Sequence, residues 1–493
     1  MSVVARQGFK YSLIGYFGFL LGTISSIFIF PQDTYFYGKI RYIIPTAEML
    51  LPIVVFGLSF SNVKFYQRNK SADRQQNFLS LSLAGVAGNF LIFTLGFFCF
   101  FWLFPTYKTT KLWELKSIVL PLILVMALAT VLNKYISNFK RIVVPNIFEN
   151  LFPKIASLGA FSLLFYLGAS ETISLAFFFS IFVVSLGCYI WYANKLEPFK
   201  PDFRTDFIKK DKYWRTIFSY SLFGFLGNIG NYIAFRVDNF MIGEKIGMDE
   251  NAVYSILLSV LSFIMIPQMG LNNISAPIIN KSIEDNDFEE LDRFHKKTSL
   301  SLFFLGAVLF SCILVGFPWL TYLMPKNGDL IRQGEPVIWI LGFAMLIDLA
   351  TGFNGHIISL SKYYRFNIVI MIFLAVLTIG LNHLFIENTE LGIVGVAMAT
   401  AISLSLFNIV KIVFNYVKFK VSPLTVEMVY VMLICTSAIT IVLLLPNFET
   451  PFFNLVYKPA IVLLLIGIGN HFLKIYPLDK YLNKNFFKSL LKF

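Results

Sequence analysis

Charged side chains inside long apolar segments are the residues of this sequence best suited to do chemistry. Glu48, Lys154, Arg236, Asp238 and Asp348 each interrupt such a segment. If the segments cross a bilayer, each buried charge costs about 2.5–3.5 kcal/mol, so each is a candidate for function. A buried cation attracts phosphate strongly where the dielectric constant is low, and a buried carboxylate takes up protons or metal cations. This set therefore favours the binding of ions and charged solutes.

The segment around Arg236 carries the longest polar pattern. Five of its residues recur at i, i+4, i+7, i+11 and i+14, which is one face of a helix. Such a face fits either a helix–helix contact that packs closely through Gly and Asn, or the wall of a polar cavity. The adjacent arginine favours the cavity, so the two amides and Arg236 are candidate substrate-binding residues. The five are Gly224, Asn228, Asn231, Phe235 and Asp238.

Lys154 and Glu48 lie close to prolines in the interior of their predicted helices. Lys154 directly follows Pro153 and lies about seven residues, or roughly 10 Å, into its helix. At that depth its ammonium does not reach the interface easily. Glu48 lies between Pro45 and Pro52. A water-filled cavity explains both positions, with Lys154 as a substrate-binding candidate and Glu48 as a coupling or gating candidate.

A second acidic pattern lies in a later segment, where Asp348, Gly352 and His356 stack at i, i+4 and i+8. The carboxylate and the imidazole are suited to relaying a proton or binding a cation. They fit a hydrogen-bonded structural pair equally well. Asp238, Asp348 and His356 are therefore further coupling or gating candidates.

Composition shows which elements must position these residues. Of the 493 residues, 57% are hydrophobic and 14% are charged. Three soluble domains would need more charge, whereas about 20 apolar residues per membrane helix allow about 14 spans. The sequence therefore predicts an all-α integral membrane protein. The apolar windows lie at about 11–30, 42–63, 78–104, 117–137, 147–169, 172–194, 216–240, 252–271, 298–323, 336–360, 367–386, 391–415, 425–445 and 453–474.

Orientation follows from the basic residues. With the N-terminus inside, Lys and Arg are about three times as frequent in the inside segments as in the outside loops, which is the bias of cytoplasmic loops. Both termini are therefore predicted to be cytoplasmic. The net charge of +13 is explained by basic residues along the inner leaflet, so no nucleic-acid partner is needed.

An internal repeat divides the chain. Tyr11–Gly18 pairs with Tyr220–Gly227, and the pattern F-x-x-D-x-[YF]-x-x-G occurs at Phe30–Gly38 and again at Phe235–Gly243. Because the copies are six helices apart, they predict two parallel lobes suited to alternating access. The predicted parts are a six-helix lobe at 1–195, a cytoplasmic linker at 196–215, a second six-helix lobe at 216–416, and two C-terminal helices with a cytoplasmic tail at 417–493.

Motifs for soluble chemistry are missing from the sequence. It contains no nucleotide-binding P-loop, nucleophile elbow or H-E-x-x-H motif, so neither ATP use nor hydrolysis is indicated. The four cysteines lie in apolar runs without a C-x-x-C pair and are interpreted as core residues. We expect no catalytic residues, no metal site and no cofactor.

Three stretches resemble the multidrug/oligosaccharidyl-lipid/polysaccharide (MOP) exporter superfamily, and within it the Wzx-type polysaccharide flippases. Arg236–Gly243, followed by Ala252–Tyr254, is similar to the pattern at the end of helix 7 in those flippases. Gly392–Thr400 is similar to the G-I-x-G-A-A-x-A-T start of helix 12, with Val396 replacing an alanine. The opening helix, closed by Pro31 and Gly38, is similar to the family's N-terminus. The resemblance implies a MATE-like fold.

The resemblance also implies a function. Such proteins flip polyprenyl-pyrophosphate-linked oligosaccharide repeat units from the inner to the outer leaflet of the bacterial cytoplasmic membrane, for O-antigen or capsule synthesis. A cationic cavity there receives the pyrophosphate, a role that fits Lys154 and Arg236. Coupling to a proton or sodium gradient is expected, with Asp238, Asp348 or Glu48 as coupling residues. The implied partners are undecaprenyl-pyrophosphate-linked oligosaccharide, the lipid bilayer and the polysaccharide polymerase machinery.

Two alternatives stay open. A cation-coupled drug or metabolite antiporter of the same superfamily needs an acidic cavity, and Lys154 and Arg236 oppose that. A polytopic polysaccharide polymerase or ligase generally needs a long outside loop for its chemistry, and no predicted outside loop exceeds about 15 residues. A transporter, not an enzyme, is therefore the prediction.

Overall fold

The computed structural model describes residues 3–139, 141 and 143–477, and within these ranges it contains helices and no β-strand. The first twelve α-helices are α1 Val3–Phe28, α2 Thr34–Val55, α3 Leu58–Lys64, α4 Tyr66–Ser71, α5 Gln75–Leu103, α6 Lys111–Glu114, α7 Lys116–Ser137, α8 Val143–Phe165, α9 Glu171–Leu196, α10 Asp206–Lys209, α11 Tyr213–Lys245 and α12 Met248–Leu261. They are followed by α13 Ile266–Glu284, α14 Phe288–Tyr322, α15 Gly328–Gln333, α16 Glu335–Ala350, α17 Asn354–Leu360, α18 Tyr364–Asn388, α19 Ile393–Phe419, α20 Val426–Leu443 and α21 Pro451–Leu473. Short 3-10 helices lie at Phe30–Gln32, Pro105–Thr109, Lys210–Lys212 and Ser262–Met265.

Many of these helices are suited to a bilayer. Eleven are long and apolar enough to cross a membrane, and the number is up to thirteen if each of two bent helix pairs is one span. The chain is therefore a multi-pass membrane protein with an all-α fold, as predicted. Eleven of the fourteen predicted windows coincide with one helix, two coincide with the bent pairs, and the window at 252–271 covers α12, a 3-10 helix and the start of α13, but α11 is not among the membrane-crossing candidates. The count of fourteen spans and the cytoplasmic termini stay predictions.

The two bent pairs break at residues with left-handed backbone conformations. The pair α2 and α3 bends by 58° around Phe56 and Gly57, whose φ angles are +45° and +70°. The pair α16 and α17 bends by 48°, with Gly352 at φ +54° in the break. Glycine adopts such angles at little cost. Breaks of this kind in membrane helices free backbone groups and occur where helices bind ions or substrates.

Two compact units make up the chain. Unit 1 contains residues Met1–Ile256 and Arg365–Thr400, and unit 2 contains Leu257–Tyr364 and Ala401–Phe493. The boundaries therefore fall inside α12, after the first residue of α18 and inside α19. The predicted lobes were defined by sequence similarity between the two copies of the repeat, whereas these units are defined by compactness. The boundaries of the lobes therefore stay a prediction.

Within unit 1, two glycines that are equivalent in the repeat lie at close contacts. A Cβ atom on Gly38 of α2 would lie 1.8 Å from the carbonyl oxygen of Met248. A Cβ atom on Gly243 of α11 would lie 2.5 Å from the ring of Tyr42. Neither position has room for a side chain, because real Cβ atoms do not approach other atoms this closely. The matched glycines thus let α2 pack against the end of α11 and the start of α12.

Candidate functional site

Lys154 of α8 lies against the glycine-bearing face of α1. The lysine is half-buried, and its Nζ donates a hydrogen bond to the carbonyl oxygen of Asn150 at 3.0 Å. A Cβ atom on Gly18 would lie 3.2 Å from this Nζ, and one on Gly22 would lie 2.9 Å from the lysine Cε. The two glycines therefore leave the space that the lysine side chain occupies. No carboxylate in the part of the chain that the structure describes forms an ion pair with it.

A leucine at Gly22 is expected to displace the lysine side chain. Its Cβ alone would overlap Lys154 Cε, and overpacking costs about 1–3 kcal/mol. The measurement is the amount of surface polysaccharide, the product that the family resemblance implies, at comparable protein amounts in the membrane. We expect Gly22→Leu to reduce it to about the level of a Lys154→Met variant. Gly15→Leu is the matched control on α1, because nothing lies within 4 Å of a Cβ there. Equal activity of the two leucine variants would show that the glycine face does not position Lys154.

Arg41 is a second cation beside Lys154, and the sequence analysis missed it. It lies in the eighth position of α2, within electrostatic reach of Lys154. Its Nε is buried and has no hydrogen-bond partner. Two cations without a paired carboxylate repel each other at this distance, so the arrangement is suited to an anion that neutralises both.

Arg236 of α11 forms an ion pair with Glu48 of α2 through its Nε and the glutamate Oε2. The arginine side chain is 40% exposed and the glutamate 20%, so the guanidinium keeps donor groups accessible for a further ligand. Tyr232, one turn earlier on α11, lies within electrostatic reach of both residues and of Glu149. The structure thus brings together two residues that the sequence analysis singled out separately.

Asp238 is enclosed by neutral hydrogen-bond donors. The Tyr254 hydroxyl donates to Oδ2 at 2.7 Å, the Asn382 amide donates to Oδ1 at 2.8 Å, and the Thr400 hydroxyl donates to Oδ2 at 2.7 Å. Only 8% of the residue surface is exposed, and no cation pairs with it among the described residues. A carboxylate that is buried with donors but without a counter-charge is suited to holding a proton or a metal cation.

The close approach of α11 and α18 brings Asn382 to Asp238. A Cβ atom on Gly230 would lie 2.9 Å from the backbone nitrogen of Ile372, so only glycine lets the two backbones come this close. We expect Gly230→Val to force α11 and α18 apart and to lengthen the hydrogen bond from Asn382 to Asp238. The folded protein should be destabilised by about 1–3 kcal/mol. The measurement is the thermal unfolding midpoint of the purified protein. An unchanged midpoint would show that Gly230 is not needed for the close approach of α11 and α18.

The five-residue face of α11 does not lie in one environment. Asn228 is half-buried, Asn231 and Phe235 are exposed, and Asp238 is buried. The side-chain amides of Asn228 and Asn231 form no hydrogen bond with the described residues. The two amides are thus accessible for a ligand, but their assignment as substrate-binding residues stays a prediction.

In unit 2, Asp348 and His356 lie on opposite sides of the break between α16 and α17. Asn408 of α19 donates a hydrogen bond to Asp348 Oδ1 at 2.9 Å, and the His356 ring packs on Phe353 at 5.7 Å between centroids. The carboxylate and the imidazole therefore have separate partners. A proton relay between them stays a prediction. No group of three or more His, Cys, Asp or Glu side chains suited to a metal ion occurs in the described ranges.

The family is shown by sequence comparison. Residues 5–279, more than half of the chain, match the profile of the family described as polysaccharide biosynthesis protein. Residues 225–384 match the MatE profile. No curated protein matches the chain in sequence.

Solved structures show the same fold. A lipid II flippase, MurJ, in an inward closed conformation has a TM-score of 0.71 at 15% identity, covering 94% of this chain and 98% of that chain. An inward-facing multidrug resistance transporter of the MATE family has a TM-score of 0.65 at 14% identity, covering 82% of this chain and 94% of that chain. A MOP-superfamily transporter from Pyrococcus furiosus has a TM-score of 0.57 at 14% identity, covering 85% and 95%. The chain therefore belongs to the polysaccharide biosynthesis protein family and has the fold of the MOP-superfamily transporters.

Proposed function

We propose that this protein flips a polyprenyl-pyrophosphate-linked oligosaccharide from the inner to the outer leaflet of the bacterial cytoplasmic membrane. The flipped unit then feeds O-antigen or capsule synthesis by a polymerase. Transport proceeds by alternating access of two lobes. The observation that carries the proposal is the cationic pair Arg41 and Lys154, which no carboxylate among the described residues neutralises, in a chain of the polysaccharide biosynthesis family.

The charge of the substrate explains why these cations are unpaired. Pyrophosphate is charged, and its passage through the bilayer without a protein would remove its hydration at a high cost in free energy. In a medium of low dielectric constant, a lysine and an arginine give back part of that cost by direct attraction. The guanidinium of Arg41 or Arg236 matches two phosphate oxygens at once, whereas the Lys154 ammonium acts as a point charge.

Asp238 is the proposed coupling residue. Its carboxylate accepts three neutral hydrogen bonds, which hold two oxygen atoms in place for a proton or a sodium ion. A cation that binds there in one conformation and leaves in the other moves down its gradient across the membrane, and this supplies the free energy for transport. Glu48 acts as a gate in this proposal, because substrate phosphate competes with it for Arg236.

A cation-coupled drug antiporter is the second candidate, favoured by the MatE match over residues 225–384. Organic cations bind to carboxylates without opposing cations. The unpaired Lys154 and Arg41 repel such substrates, so this candidate ranks below the flippase.

A deletion strain separates the two candidates. Loss of the flippase is expected to remove surface polysaccharide and leave drug susceptibility unchanged, and re-expression of the wild-type chain restores it. Normal surface polysaccharide together with increased drug sensitivity would overturn the flippase proposal and favour the antiporter.

A further inference from the structure

Lys411 is a buried lysine in a membrane helix of unit 2 that the proposed function does not use. It lies eight residues before the end of α19, or about 12 Å along the helix axis, and 8% of its surface is exposed. Its Nζ lies 3.9 Å from the centroid of the Phe407 ring. The ammonium therefore packs against this ring inside the protein.

The helix break between α16 and α17 lies against this lysine. A Cβ atom on Gly355 would lie 3.5 Å from Lys411 Nζ, so the ammonium lies against the backbone of α17 at this glycine. Asp348 of α16 and His356 of α17 are within electrostatic reach of it. No carboxylate within the described ranges lies close enough to Lys411 to form an ion pair.

The surrounding polar groups connect this region to a further histidine. His295 of α14 pairs through Nε2 with Asn354 Oδ1 at 3.1 Å, and Asn415 of α19 donates to the same oxygen at 2.7 Å. Asn354, Asn415 and His295 are at most 1% exposed. The His295 Nδ1, Asn354 Nδ2 and Asn415 Oδ1 atoms have no hydrogen-bond partner.

A buried lysine without an ion-pair partner destabilises the folded protein, so we expect its charge to have a function. An ammonium in hydrocarbon costs about 2.5–3.5 kcal/mol on insertion scales, and the contact with one aromatic ring returns about 2 kcal/mol of this. A lysine in such a place changes its protonation state more readily than an arginine does. The titratable groups around it are Asp348, His356 and, one contact further, His295.

We infer that Lys411 and Asp348, with His356, form a proton-exchange site in unit 2. The Lys411 ammonium gives up a proton that water relays to the Asp348 carboxylate, since the two groups are too far apart for an ion pair, and this leaves an uncharged amine and a carboxylic acid. Asp348 then releases the proton to water on one side of the membrane, and the amine takes up a proton that enters from the other side through His356. This inference rests on the proposed function in one respect, namely that the exchanged proton drives substrate transport.

Two substitutions test whether the proton of Lys411 matters or only its charge. Arginine keeps the charge but does not give up its proton in proteins, and methionine keeps the apolar stem without the charge. In the complemented deletion strain, we expect Lys411→Met and Lys411→Arg each to reduce surface polysaccharide at least tenfold. Lys418→Met, at an exposed position of the same helix, is expected to leave it unchanged. Normal polysaccharide in either Lys411 variant would overturn the inference.

A second measurement does not depend on the proposed function. The unfolding midpoint of the purified full-length protein in detergent is followed from pH 5 to pH 10 for the wild type and for both Lys411 variants. If Lys411 exchanges a proton, the difference between wild type and variant changes with pH, because only the wild type titrates at this position. A constant difference over this range would overturn the inference. If deletion of the gene leaves polysaccharide normal, the proposed function fails and this measurement alone decides the inference.

Discussion

Replacing Lys154 and Arg236 together by methionine is expected to reduce polysaccharide export at least tenfold. A tenfold change in rate corresponds to about 1.4 kcal/mol, which is less than one buried charge–phosphate contact supplies. Each single substitution is expected to have a smaller effect, because Arg41 lies within reach of Lys154 and supplies part of the same field. The measurement is the amount of surface polysaccharide per unit of membrane-inserted protein.

A matched control removes charge without touching the cationic group. Lys195→Met, at an exposed position near the end of α9, changes the net charge as each single variant does. It is expected to export normally. Normal export by the double variant would show that the cations do not bind substrate.

A charge swap distinguishes substrate binding from a purely structural role at Arg236. The ion pair of Arg236 with Glu48 is kept when the double variant Arg236→Glu, Glu48→Arg is made. If the pair only holds α2 against α11, the swap restores export that Arg236→Glu loses. We expect no restoration, because the substrate phosphate then meets a carboxylate on α11.

Asp238→Asn is expected to abolish coupled transport while the protein still folds. The amide fills the same space, and the Tyr254 and Thr400 hydroxyls, which now donate to Oδ2, can rotate to accept from it. What the amide lacks is the negative charge that holds a proton or a sodium ion. Export is therefore expected to fall at least tenfold, with an unfolding midpoint close to that of the wild type.

Asn239→Ala is the control for Asp238→Asn. Asn239 is buried and donates to Asn251 and Ser255 at 2.8 Å each, so its removal takes the donor away from the buried Asn251 Oδ1 at a cost of about 1–3 kcal/mol. This variant is expected to lower the unfolding midpoint and to retain export per folded molecule. Normal export by Asp238→Asn, or equal losses in both variants, would show that Asp238 acts through folding alone.

The sequence was sufficient for the fold because apolar length and helical period are local properties. All fourteen windows are helical in the structure, three of them across more than one helix, and the glycines matched in the repeat, Gly38 and Gly243, lie at close contacts. Lys154 and Asp238 were found because a charge inside an apolar segment stands out without knowledge of its partners. The bends of α2–α3 and α16–α17 were not predicted, since their left-handed residues leave hydropathy unchanged.

The residues that complete the site were not predictable in the same way. Asn382 and Thr400 are neutral, and they lie 144 and 162 positions after Asp238, so no spacing rule connects them to it. Arg41 lies one residue before the apolar window at 42–63 and was counted with a loop, and only the extension of α2 through this position places it inside a helix. Lys411 lies within the window at 391–415, but it is close to the end of that window and was not recognised as a buried charge.

The leaflet in which lipid-linked oligosaccharide accumulates tests the central proposal most directly. In a deletion strain, the undecaprenyl-pyrophosphate-linked oligosaccharide is labelled separately at each face of the cytoplasmic membrane. The flippase account predicts that it accumulates in the inner leaflet and that the wild-type chain, but not the double variant of Lys154 and Arg236, returns it to the outer leaflet. Accumulation in the outer leaflet, or a normal distribution without the protein, would contradict it.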